Sequence, residues 1–287
     1  MCRARIAPQT GFGVFELYEI VGTAVMDMFG DDEEEPDNLA RQYRPATCGV
    51  LSFHSGTEEA MFLHLRRTTS PGVHNVGLIL KAIDDFCVKR HWMMHVGPNK
   101  AAIVCKELES LLSSKCATDQ LFIVEIGSYC GYSSVSFCSY FVGRFPNLKM
   151  VCIEGDPQCV NWTRELVDYC GLSSMITVIE ATVTRDLSAR VLAPFSHRID
   201  VLFIDHDKAR YREDLVVLEE SEDSLIQAGS IVVADNVLSF GKPLDDYLAH
   251  VRDPAKYSKS TLYESFVEYA DSEDPEFQDG VEISIKC

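Results

Sequence analysis

Basic residues are scarce. The chain of 287 residues has 26 Lys and Arg against 44 Asp and Glu, a formal net charge of −18. A surface that tracks phosphates needs clustered Lys and Arg, so nucleic acid is not expected as a partner, and an anionic membrane surface is disfavoured. A long apolar run is also missing. The most apolar early stretch, Phe15 to Phe29, contains Glu16, Glu19 and Asp27. It is too polar for a membrane span and lacks the basic flank and clean apolar core of a leader, so neither secretion nor an anchor is expected. The eleven Cys include no C-x-x-C pair, and Cys105, Cys138 and Cys152 fall in apolar patterns. They read as small core residues of a reducing compartment, and the expected location is cytoplasmic. No internal repeat occurs, and the G-x-G-x-x-G of a dinucleotide site is absent.

What is present is a chain that is 46% hydrophobic and long enough to bury a sizeable core. Residues 1–55 read as an appendage, broken by Gly11, Gly13, Pro36 and Pro45 and carrying the acid block Asp31 to Glu35. Residues 56–287 read as the domain. Helical periodicity starts at Glu58, resumes at Val76 after Pro71-Gly72, and a third helix is expected from about Asn99. From Leu121, strands are expected at 121–127, 149–154, 176–181, 199–205 and 229–235. Helices are expected at about 132–145, 157–170, 184–193, 213–227 and 243–252. Five such β-α units predict a parallel sheet covered on both faces. Thr261 to Tyr269 and Val281 to Lys286 alternate like strands about acidic turn material at 271–279, which predicts a closing antiparallel hairpin.

The chain is organised around Val124-Glu125-Ile126-Gly127-Ser128-Tyr129-Cys130-Gly131-Tyr132-Ser133. An apolar strand, a glycine-bearing turn and a helix start make a nucleotide-binding corner, because glycine lets the backbone approach a ligand and the helix start offers unpaired N–H groups. Ligands of a doubly wound sheet sit beyond the carboxyl ends of its strands. The second strand ends in Glu154, placed for ribose hydroxyls. The fourth ends in Asp205-His206-Asp207-Lys208 and the fifth in Asp235-Asn236. Asp205, Asp235 and Asn236 together make an all-oxygen site that suits Mg²⁺. Taken one at a time, these acids also fit ordinary N-capping after a strand. Lys208 beside a dication gives up its proton more readily and becomes a usable general base.

These residues carry a resemblance. Glu125 to Ser133, Ile204-Asp205-His206-x-Lys208-x-Arg210-Tyr211 and Ala234-Asp235-Asn236-Val237 resemble the motifs of catechol O-methyltransferases. So do Trp92 to Gly97, Tyr247 to Arg252 and Ser265 to Tyr269, and the match runs from about Gly56 to Lys286. The resemblance implies a Rossmann-like α/β class I methyltransferase fold, doubly wound, with a mostly parallel seven-stranded sheet and an antiparallel C-terminal end. It implies S-adenosylmethionine held by Val96, Glu125, Gly127, Tyr129, Ser133, Glu154, Gly155, Asp205 and His206, and Mg²⁺ held by Asp205, Asp235 and Asn236. Lys208 is then the base and Glu268 the partner of a second hydroxyl. Trp92, Met94 and Asn236 meet a catechol or related diphenol, and a monomer is expected. Asp207 stands where the family has an aromatic residue, Phe240 where it has Pro, and Ala101 where it has Gly.

Three other readings compete. A related cation-dependent enzyme would act on a larger vicinal-diol phenol. A nicotinamide dehydrogenase would use Glu154 but has no need of Asp205, Asp235 and Asn236 together. A binding protein that kept only the fold would be marked by a lost Lys208 or metal ligand, and none is lost.

Overall fold

A computed structural model describes residues 56–184, 192, 194–195, 198–220, 224–238, 244–270 and 277–287. The expected appendage, most of the expected 184–193 helix, and Phe240 lie outside these residues.

Seven strands form one sheet in the order β3-β2-β1-β4-β5-β7-β6. They are β1 Phe122–Ile126, β2 Lys149–Glu154, β3 Ile176–Glu180, β4 Val201–Ile204, β5 Ile231–Ala234, β6 Tyr257–Phe266 and β7 Gln278–Lys286. β1 to β5 pair in parallel, whereas β7 runs antiparallel to both β5 and β6. The doubly wound class and the closing hairpin are as the sequence predicts. The hairpin is larger than expected: β6 starts at Tyr257 rather than Thr261, and β7 starts at Gln278 within what reads as turn material. Cross-strand pairing extends the hairpin beyond the residues whose apolar alternation is visible.

The helices are α1 Thr57–Thr68, α2 Val76–Lys89, α3 Gly97–Leu111, α4 Tyr132–Phe141, α5 Pro157–Tyr169, α6 Tyr211–Glu220 and α7 Asp245–Val251. α3 therefore begins two residues earlier than its periodicity suggests. Pro98 occupies its first turn, where the missing N–H costs nothing. α5 opens on Asp156, whose carboxylate accepts from Gln158 N and Cys159 N. β1 is buried along its whole length, and residues such as Val124, Val151, Leu202 and Val232 form a core with no exposed surface. Both faces of the central strands are covered, as unbroken apolar runs require.

Register decides where the chemistry lies. Ile126 is level with Ile153 and Ile204, and Ile204 with Ala234. The next residue of each central strand still bonds across: Gly127 N to Ile153 O at 2.9 Å, Asp205 N to Ile126 O at 2.9 Å, and Asp235 N to Ile204 O at 3.1 Å. Gly127, Asp205 and Asp235 thus share one rim, at the point where strand order reverses about β1.

Candidate active site

A cavity of about 760 Å³ opens on this rim, a size that suits a small molecule. Its wall includes Gly127, Tyr129, Ser133 and Glu154 on the glycine-turn side, with Val96 and His206. Asp205, Lys208, Asp235 and Asn236 line it as well, together with Trp92, Met94 and Glu268. Two of the residues expected at the donor do not line it. Neither Glu125 nor Gly155 is among the cavity-lining residues.

The glycine turn is held by acid side chains. Gly127 has φ 86, and a Cβ there would run into the Asp205 carbonyl oxygen, so only glycine lets β1 and β4 end this close. Glu154 Oε2 accepts from Ser128 N and Tyr129 N, each at 3.0 Å, and its Oε1 from Asp156 N at 3.0 Å. A carboxylate has about four acceptor positions, so room remains for ligand hydroxyls. Glu125 is fully buried and accepts from Ser133 and Ser134, with Cys152 Sγ at 3.4 Å. Burial pushes its carboxyl up to about 7, against the pull of those hydroxyls. Glu125 therefore fixes the start of α4 from within.

At the ends of β4 and β5, charges are paired. Lys208 Nζ donates to Asp205 Oδ1 at 2.7 Å and to the Tyr211 hydroxyl at 2.6 Å. Lys100, 1% exposed, lies 2.8 Å from Asp235 and 2.9 Å from Asp279 Oδ2. Burial lowers the Lys100 pKa, but the surrounding Asp235, Asp279 and Asp205 raise it further, so it stays an ammonium. Burial pushes Asp235 upward, Lys100 opposes this, and the nearby Asp205 charge adds to the rise. Asn236 adopts φ 57, a left-handed conformation that Asn tolerates, and its Nδ2 donates to Asp279 Oδ2 at 2.7 Å.

Glu268 is 3% exposed and is tied to the start of α3. It accepts from Lys100 N at 2.9 Å and Asn99 Nδ2 at 3.2 Å, and its own carbonyl accepts from Trp92 Nε1 at 2.9 Å. An acid suits the positive end of a helix. Gly97, with φ 67, must be glycine because a Cβ would run into the Glu268 side chain.

The donor set fits a hard dication. Asp205 and Asp235 repel each other, and the Asn236 amide oxygen would offer a dication a neutral hard donor beside them. Among the described residues, no group of three His, Cys, Asp or Glu side chains is arranged to hold a metal.

Three residues of this region are not among the site residues expected from the sequence. Lys100 reads as one more polar helix residue, and Asp279 as turn material. The third is His95, which lines the cavity with ring centroids 5.5 Å from Tyr129 and 5.2 Å from Tyr132. Burial drives its pKa down to about 3, so it is a neutral imidazole. The Tyr129 hydroxyl donates to Glu58 Oε1 at 2.7 Å, a contact between elements 71 residues apart.

Known proteins resemble this arrangement. Residues 124–237 match a family described as a methyltransferase domain. Catechol O-methyltransferase of Mus musculus is 30% identical over 216 residues, 75% of each chain. That of Sus scrofa is 31% identical over 193 residues, 67% of this chain and 92% of its own. The fold is shared with an O-methyltransferase of Bacillus cereus solved in complex with SAH, with a TM-score of 0.53 and 15% identity over 83% of this chain and 94% of that one. The glycine turn, the acids at the strand ends and these likenesses agree: this chain belongs to the catechol O-methyltransferase family of S-adenosylmethionine-dependent O-methyltransferases.

Proposed function

We propose that residues 56–287 form a methyltransferase domain that moves the methyl group of S-adenosylmethionine to one hydroxyl of a catechol, with Mg²⁺ required. The single observation that carries this reading is the shared rim. Asp205, Asp235 and Asn236 line one cavity with Lys208 and Glu268. No simpler binding site needs that combination.

In this reading Val96, Gly127, Tyr129, Ser133, Glu154 and His206 hold the methyl donor. Asp205, Asp235 and the Asn236 carbonyl hold the dication. Bound Mg²⁺ supplies Lewis acidity that favours loss of a hydroxyl proton. Lys208 takes that proton, and Glu268 accepts a hydrogen bond from the second hydroxyl. The deprotonated oxygen then attacks the methyl carbon. The carbon–sulfur pair leaves with sulfur, and the sulfonium becomes a neutral thioether. Trp92 and Met94 restrict the ring, so much of the rate comes from alignment. Asp207 adds a carboxylate to the cavity wall, which favours a catechol carrying an ammonium group.

The test is product formation from S-adenosylmethionine and catechol, with Mg²⁺ or with excess chelator. Methylated catechol is expected only with the ion. Equal product in chelator removes the metal role, and no product under either condition removes the substrate.

A further inference from the structure

An amide can turn either end toward a metal, and only its oxygen binds one. What decides the end that Asn236 presents lies outside the expected ligand set. Asp279 is fully buried at the start of β7. Its Oδ2 accepts from Asn236 Nδ2 at 2.7 Å and from Lys100 Nζ at 2.9 Å. An ionised carboxylate only accepts hydrogen bonds, so it captures the NH₂ end of the amide and leaves the carbonyl end for a ligand. Lys100 also lies 2.8 Å from Asp235. One buried ammonium thus braces the positioning acid and an expected ligand together. The backbone supports the same alignment: Val237 N donates to Gly280 O at 3.0 Å, which locks the residue after Asn236 to the residue after Asp279.

We infer that Asp279, braced by Lys100, is a positioning residue that orients the Asn236 carbonyl toward the dication. This rests on the Mg²⁺ reading above. Residues behind metal ligands typically change metal affinity by about 10- to 100-fold when replaced. Asp279→Asn can offer its own amide NH₂ to Asn236, so the orientation of residue 236 is no longer set.

The experiment is Mn²⁺ binding to the full chain, followed by the electron spin resonance of free ion, with S-adenosylmethionine affinity measured in parallel. Asp279→Asn is expected to weaken Mn²⁺ binding about 10- to 100-fold with donor affinity unchanged. Adding Asn236→Asp to that variant is expected to restore binding, because a carboxylate has oxygen at both ends and the amide introduced at position 279 can donate to it. A merely structural role for Asp279 would not be rescued this way. Asn236→Asp alone sets two carboxylates face to face and is expected to weaken binding despite the added negative charge. This arm decides the matter even if Asp279→Asn does not fold. Unchanged affinity in Asp279→Asn, or tighter binding in Asn236→Asp alone, overturns the inference and leaves the metal reading standing. No Mn²⁺ binding by the native chain overturns both.

Discussion

Lys208 Nζ lies 2.7 Å from Asp205 Oδ1, three residues back along the same loop. The Tyr211 hydroxyl accepts from it at 2.6 Å and itself donates to the Asp235 carbonyl at 3.1 Å. The proposed base is thus held between the tips of two strands. Lys208→Ala is expected to lower kcat by about 10² to 10⁴, the range for loss of a positioned base. The KM for S-adenosylmethionine should change little. Steady-state kinetics in both substrates checks this, and a normal kcat removes Lys208 from the role.

Asp207 is exposed at the cavity wall, and its Oδ1 accepts from Ala209 N at 3.1 Å. Exposed ion pairs contribute about 0.2–1 kcal/mol, so its preference for an ammonium-bearing catechol should be modest, roughly 1.5- to 5-fold. Asp207→Trp is expected to lower kcat/KM for dopamine relative to a neutral catechol by that factor. Equal changes for the two substrates remove Asp207 as a specificity determinant.

Glu125 gives a pH dependence of known sign. Its folded pKa is raised to about 7 from an ordinary 4.5. Below about pH 4.5 both folded and unfolded chains bind the proton. Between there and pH 7 only the unfolded chain releases it, so this residue lowers stability as pH rises through that window, by about 3 kcal/mol. Glu125→Gln should lack this contribution. Urea unfolding of both proteins from pH 4.5 to 8 should show the variant gaining on the native chain as pH rises, and parallel curves would refute the assignment.

Gly97→Ala places a methyl group against Glu268 at a left-handed backbone position. Strain of this kind costs about 1–3 kcal/mol, and Glu268 must move to relieve it. The kcat/KM for the catechol should fall roughly 10- to 100-fold. An unchanged value would mean that the position of Glu268 does not matter to the acceptor.

Much of this protein is written locally. The apolar run of β1 leads straight into the glycines at 127 and 131, and each acid at the end of β2, β4 and β5 adjoins its own strand in sequence. Parallel strands all end on one rim, so an acid placed just after each strand reaches that rim without further information. Lys208, Asp205, Asp235, Asn236 and Glu154 could therefore be named from the chain alone.

Asp279, Lys100 and Glu125 could not be assigned their places this way. β7 runs against its neighbours, so its beginning, not its end, lies at the same rim, and an apparent turn acid becomes a buried partner of Asn236. Lys100 finds its two carboxylates 135 and 179 residues away. Glu125 sits on the rim strand, yet its side chain turns inward to Ser133 and Ser134. Strand direction, register and burial are properties of the packed sheet, and they decide which polar groups meet.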